Sequence, residues 1–112
     1  MNNDAKKSLL GMIGLCRRSG DLICGSDLVC AELSGARPPL LVVVAGGASE
    51  TTVDRMTRKC FYYGVDCAVA DLTPEELGHA IGKTGAVATV GMRDANFSKR
   101  IKELTEALNN IN

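Results

Sequence analysis

The sequence predicts an α/β sandwich, a sheet with helices on both faces. Helical and strand signals alternate along the chain, and glycines mark most of the joints between them. The run LLVVVA, Leu40 to Ala45, is continuously apolar and largely β-branched, the pattern of a strand covered on both sides. At 112 residues, with 46% hydrophobic and 23% charged side chains, the composition suits one globular domain over positions 1–112 and argues against extended disorder.

The first helix is expected from about Asp4 to Ser19, with Leu9, Ile13 and Cys16 on one inward face and Gly20 as its C-terminal glycine. Its LLGMIGLC run loosely imitates a secretory signal. The run is short, however, and Arg17 and Arg18 follow at once with no small-residue cleavage site. No stretch approaches the ~18 apolar residues of a membrane span. A cytoplasmic chain with no membrane partner is therefore expected. A short strand, Leu22 to Cys24, leads through Gly25 to a second helix, for which Ser26 is the expected cap, ending at Gly35. After Ala36-Arg37-Pro38-Pro39 comes the apolar strand.

Ser49 is placed to cap a third helix that carries Val53, Met56, Cys60 and Phe61 inward and stops at Gly64. Val65 to Ala70 alternates as a strand. Thr73-Pro74-Glu75-Glu76 then combines an N-cap, a proline at the first helical position and a capping-box glutamate. The fourth helix turns Leu77 and Ile81 inward and closes near Gly82. Ala86 to Val90 reads as the last strand, and a final helix from about Asn96 buries Ile101, Leu104 and Leu108. Five helices thus alternate with four strands.

The charge balance is neutral, 13 Lys and Arg against 13 Asp and Glu, which weakens any case for indiscriminate nucleic-acid binding. A local basic face remains compatible with it. Five cysteines without a C-x-x-C pair, and a single histidine, do not make a zinc site; buried thiols of a reducing compartment are expected, and no metal or cofactor. His79 is expected on an exposed helix face with no catalytic role.

GHAIGKTG, Gly78 to Gly85, resembles a phosphate loop, but one residue is missing between the glycines. A capped helix precedes it and a strand follows, the reverse of the order a phosphate loop requires. Phosphate would meet a helix C-terminus, which repels anions. The stretch is read instead as a helix end and a turn that exposes Lys83 and Thr84, with no nucleotide partner. Arg55, Arg58 and Lys59, like Lys99, Arg100 and Lys102, read as solvated helix faces. Tyr62 and Tyr63 have the chemistry to stack on a base, but Phe61 beside them points to packing near the helix end.

Four segments carry a family likeness: LLGMIGLCRRSGDLICGSD (Leu9 to Asp27), LLVVVAGGASE (Leu40 to Glu50), CFYYGVD (Cys60 to Asp66) and EELGHAIGK (Glu75 to Lys83). In that order and spacing the chain resembles the kink-turn-binding ribosomal protein superfamily (the L-seven-Ae type), especially its short bacterial, YlxQ-like branch. The resemblance implies a three-layer α-β-α sandwich with a mixed four-stranded sheet, an RNA-binding role, and no catalysis. It implies two RNA contacts on one face: the start of the second helix, Gly25, Ser26, Asp27 and Leu28, and the loop Lys83, Thr84, Gly85 and Ala86. Arg17 and Arg18 are further candidates.

Relatives of that type place an amide, a carboxylate and a lysine where this chain has Asp27, Leu28 and Ala31. Asp21 stands where a basic residue is common, and Gly46-Gly47 where an acidic pair is common. Leu28 has no side-chain hydrogen bond to offer and Ala31 no cation. Losing one bidentate base contact costs about 1–3 kcal/mol by analogy with DNA readout. The expected function is a small non-catalytic binder of structured RNA, with ribosomal RNA or the ribosome as candidate partners. The alternative is a protein-interaction module on the same fold, with a protein partner on the same face.

Overall fold

The computed structural model describes residues 2–110. The elements run α1 (Asn2–Arg18), β1 (Leu22–Cys24), α2 (Ser26–Leu33), β2 (Leu41–Ala45), α3 (Glu50–Tyr63), β3 (Asp66–Ala70), α4 (Pro74–Ala80), β4 (Thr89–Met92) and α5 (Ala95–Asn109). The four strands form one mixed sheet in the order β1-β4-β2-β3. β2 and β3 are parallel, joined by α3, while β4 runs antiparallel to both β1 and β2.

Alternation along β2 divides the core in two. Leu41, Val43 and Ala45 pack with Leu9, Ile13 and Cys16 of α1, Leu77 of α4 and Ile101, Leu104 and Leu108 of α5. Val42 and Val44 face the other way, onto Val29 and Leu33 of α2 and Met56 and Cys60 of α3. All five β2 residues are buried, as a strand covered on both faces must be. The result is the three-layer α-β-α sandwich that the sequence implies.

Most local signals act as expected. Ser49 accepts a bond from Thr52 N–H, Gly64 ends α3 in the left-handed region at φ 69°, and Thr73 and Glu76 form a reciprocal capping box. Three expectations are corrected. Ser26 does not cap α2: Gly25 occupies that position at φ 100°, and the Ser26 hydroxyl instead meets Thr89 Oγ1 at 2.8 Å. The last strand begins at Thr89 rather than Ala86. Val87 N–H is drawn away to the Pro74 carbonyl at 3.0 Å, and the register is set further on, where Met92 pairs with both Leu22 and Leu41. Gly91 continues the strand because its missing side chain admits Pro39, 3.3 Å from where a Cβ would lie.

Phe61 is the third correction. It is 88% exposed, because Met56 and Cys60 already fill the inward stripe of α3 and the next residue is rotated off it. Tyr62 is 80% exposed beside it.

Candidate nucleic-acid interface

The C-terminal end of β1 and the loop entering β4 lie side by side, because Cys24 pairs with Val90. A cleft of about 280 Å³ opens there, lined by Cys24, Gly25, Lys83, Thr84, Gly85, Ala86 and Val87. Two further depressions continue it. One shares Lys83 to Ala86 and adds Glu75 and His79; the next shares His79 and reaches Arg18, Gly11 and Gly14 on α1. The surface is therefore continuous from the start of α2, over the loop and α4, to the last turn of α1.

Each wall has a local cause. Gly25 turns the chain at a φ that disfavours side-chain-bearing residues, and its N–H bonds the Thr89 carbonyl at 2.8 Å. That bond and the Ser26–Thr89 contact fix the α2 N-terminus against β4. On the opposite wall Gly82 adopts φ 77° after α4, and Lys83 N–H returns to the Gly78 carbonyl at 2.9 Å, closing the helix. The loop then folds back over Gly78, whose absent side chain leaves room for the Gly85 carbonyl.

Among the described residues six of the thirteen cations are in ion pairs and seven are not, and of those seven Lys7, Arg37, Lys59 and Lys99 line neither the cleft nor its continuation. Lys6, Arg55, Arg58, Arg93, Arg100 and Lys102 are in ion pairs with Glu76, Asp27, Asp54, Glu32, Glu103 and Asp66. Arg17, Arg18 and Lys83 take part in none of the ion pairs among the described residues, and all three border the cleft or its continuation. Arg17 reaches the rim directly, its Nη1 lying 3.0 Å from Cys24 Sγ. Arg18 leaves the same turn toward Gly14 and the depression beside His79.

Asp27 and Leu28 stand apart from the cleft lining. The Asp27 carboxylate points to Arg55 Nη1 at 3.2 Å, so its charge is turned toward α3. Leu28 is half exposed, and Ala31 is exposed one turn later. The substitutions at Asp21 and Gly46-Gly47 have structural causes. Asp21 accepts bonds from Arg93 N–H and Asp94 N–H, pinning the start of β1 to the end of β4. A Cβ at Gly46 would lie 2.9 Å from the Ala70 carbonyl oxygen, and one at Gly47 3.2 Å from that of Leu72. A side chain at Gly46 would force the backbone at Ala70 to shift, and one at Gly47 would crowd the turn before α4.

Two cysteines, Cys16 and Cys60, are buried in the core. Burial, helped by the charge of Asp21 and a hydrogen bond to it, pushes the Cys16 thiol up to about 12. A hydrogen bond shared with Cys67, together with burial, holds Cys60 well above the usual thiol range. No group of three or more His, Cys, Asp or Glu among the described residues is arranged to hold a metal ion. No helix among them is long and apolar enough to cross a membrane. His79, exposed on α4, was expected only as a helix face. It lines the same depression as Lys83, which lies beyond the end of α4, so helical spacing in the sequence did not signal the pairing.

No protein-family model matches the chain. Among solved structures, a protein of unknown function from Bacillus halodurans superposes with a TM-score of 0.78 at 28% identity, covering 88% of this chain and 96% of that one. The Giardia lamblia 15.5kD RNA binding protein shares the fold at a TM-score of 0.75 and 17% identity, over 94% and 90% of the two chains. In sequence, the chain is 33% identical to RNA-binding protein YlxQ of Bacillus subtilis over 85% of its length and 92% of the relative's. It is 35% identical to RNA-binding protein YlxQ of Enterococcus faecium, over 95% of this chain and 99% of that one. With such identity across nearly the whole of both chains, the protein belongs to the YlxQ family.

Proposed function

We propose that this protein binds structured RNA without catalysing a reaction, through the edge formed by Gly25 to Leu28, Lys83 to Ala86, Arg17 and Arg18. The observation that carries the reading is the convergence of Gly25 and the Lys83–Ala86 loop on one cleft bordered by cations that no carboxylate engages. Backbone N–H groups at the start of α2 and in the loop supply donors to phosphate, and the cations neutralise it. The RNA-binding relatives support the same partner. The ribosome is a candidate site of action, and the cytoplasm the expected compartment.

Leu28 and Ala31 withhold a base contact and a cation, so discrimination between an internal loop and a regular duplex should be weak. Titration of an internal-loop RNA and a perfect duplex, at several salt concentrations, tests both statements. Comparable affinities for the two, each falling with salt, are expected. Undetectable or salt-insensitive binding would sink the proposal.

The exposure of Leu28 beside the cleft favours a second reading, a protein partner on the same edge. Capture from extract separates the two. Partners that survive RNase treatment and are lost in Leu28→Asp support the protein reading.

A further inference from the structure

Three of the four aromatic residues form the last turn of α3. Phe61, Tyr62 and Tyr63 all lie open to solvent, whereas Phe97 packs against the core. An exposed aromatic cluster on a small domain marks an interaction site more often than chance. The Tyr62 and Tyr63 rings meet edge to face, with centroids 4.9 Å apart and planes at 90°. In that arrangement one ring is held upright and keeps a face open.

The charge around the turn indicates the occupant. Arg58 and Lys59 lie four and three residues before Tyr62, on the same side of the helix. Of the three cations from Arg55 to Tyr63, Arg55 pairs with Asp27 and Arg58 with Asp54 on an exposed face, so Arg58 must exchange that carboxylate for phosphate while Lys59 is the cation not already paired among the described residues. The exposed leucines, Leu15, Leu28 and Leu40, belong to other segments. Ring faces bordered by positive charge, without aliphatic side chains, match unpaired bases on a phosphate backbone better than an apolar protein surface.

The turn is also far from the cleft. α3 returns from the end of β2 to the start of β3, where Asp66 pairs with Leu41, while the cleft lies where β4 begins, beside Val44. We propose that the last turn of α3 is a second RNA contact, which stacks the bases of a single-stranded segment on Phe61, Tyr62 and Tyr63 while Lys59 and Arg58 meet its phosphates. It rests on the RNA-binding reading but uses the opposite end of the sheet. A structured RNA with an unpaired tail is the class of ligand that engages both ends.

The test is titration of the full chain with a labelled single-stranded oligouridylate of about twelve nucleotides, within the site sizes usual for stacking platforms. The double variant Phe61→Leu/Tyr62→Leu keeps an apolar, helix-compatible surface but removes the rings. It is expected to weaken binding at least about fivefold, the loss of one or more base stacks. Wild-type protein that does not bind oligouridylate, or a leucine variant that binds it equally well, overturns the proposal. So does a protein partner, or a second copy of the chain detected by sedimentation, that occupies this turn and is retained by the leucine variant. A blunt internal-loop hairpin titrated in parallel reports on the cleft. If the hairpin fails while oligouridylate binds through the rings, the cleft reading falls and the α3 contact stands; the reverse pattern removes only the α3 contact.

Discussion

Gly78 decides where the Lys83–Ala86 loop sits. It lies inside α4, and the Gly85 carbonyl fills the space where its side chain would project. Val87 N packs on the same spot, 3.3 Å from the position of a Cβ. In Gly78→Ala the methyl group meets backbone rather than a side chain that can swing away. A destabilisation of about 1–3 kcal/mol is therefore expected in thermal or denaturant unfolding. RNA affinity should fall as well, because the displaced segment is the cleft wall. Gly11→Ala is the control: it lies on an exposed part of α1 with nothing within 4 Å of its Cβ, so it should stabilise by about 0.5–1 kcal/mol. Spacing and helix order in GHAIGKTG were enough to reject a phosphate loop and to expose Lys83. The Gly78–Gly85 contact was not legible, because it forms only once the chain folds back. Phe61 was misplaced for a related reason: periodicity says which residues share a face, not that the face is already full.

α4 is the element whose ends were most legible, and its N-terminus carries a pH-dependent contribution. The Thr73 N–H bond holds the Glu76 carboxyl below its ordinary range, and the bond and charge of Lys6, 3.1 Å away, add to this. A carboxylate depressed in the folded state contributes stability that is fully present above its unfolded value near 4.5 and is lost as pH falls through the lower folded value. Glu76→Gln can still close the capping box but does not titrate. Wild type should therefore lose more stability than Glu76→Gln between about pH 6 and pH 3, measured by urea midpoints. Equal losses would place the acid sensitivity elsewhere. The other elements were legible in proportion to their local signals: α3 and α4 by their caps, α5 by its apolar spacing. β4 was shifted because the run from Ala86 to Val90 is continuous and carries no turn residue to mark where pairing starts. Its start depends on where Pro74 captures Val87 N–H, which no local pattern encodes.

For the whole molecule, neutrality is the property that sets how RNA binding should respond to salt. Thirteen cations balance thirteen carboxylates, and six of those cations are in ion pairs among the described residues. With no net field to attract polyanions, counterion release must come from the few cations that touch phosphate. Lys83 lines the cleft, Arg17 reaches its rim and Arg18 borders the depression that continues it, so a log–log plot of affinity against salt for a blunt structured RNA should have a slope of roughly −2 to −3. Lys83→Ala should make that slope shallower by about 0.7–0.9 and weaken binding to all sequences alike, because a phosphate contact carries no base information. Asp27→Asn should act differently. It removes a carboxylate beside the α2 N-terminus, so it should strengthen binding at low salt while releasing Arg55 from its partner. A wild-type slope steeper than about −5 would mean that many dispersed cations contribute. In that case the cleft would not be the centre of recognition, because the neutral balance leaves too few free cations there to produce such a slope.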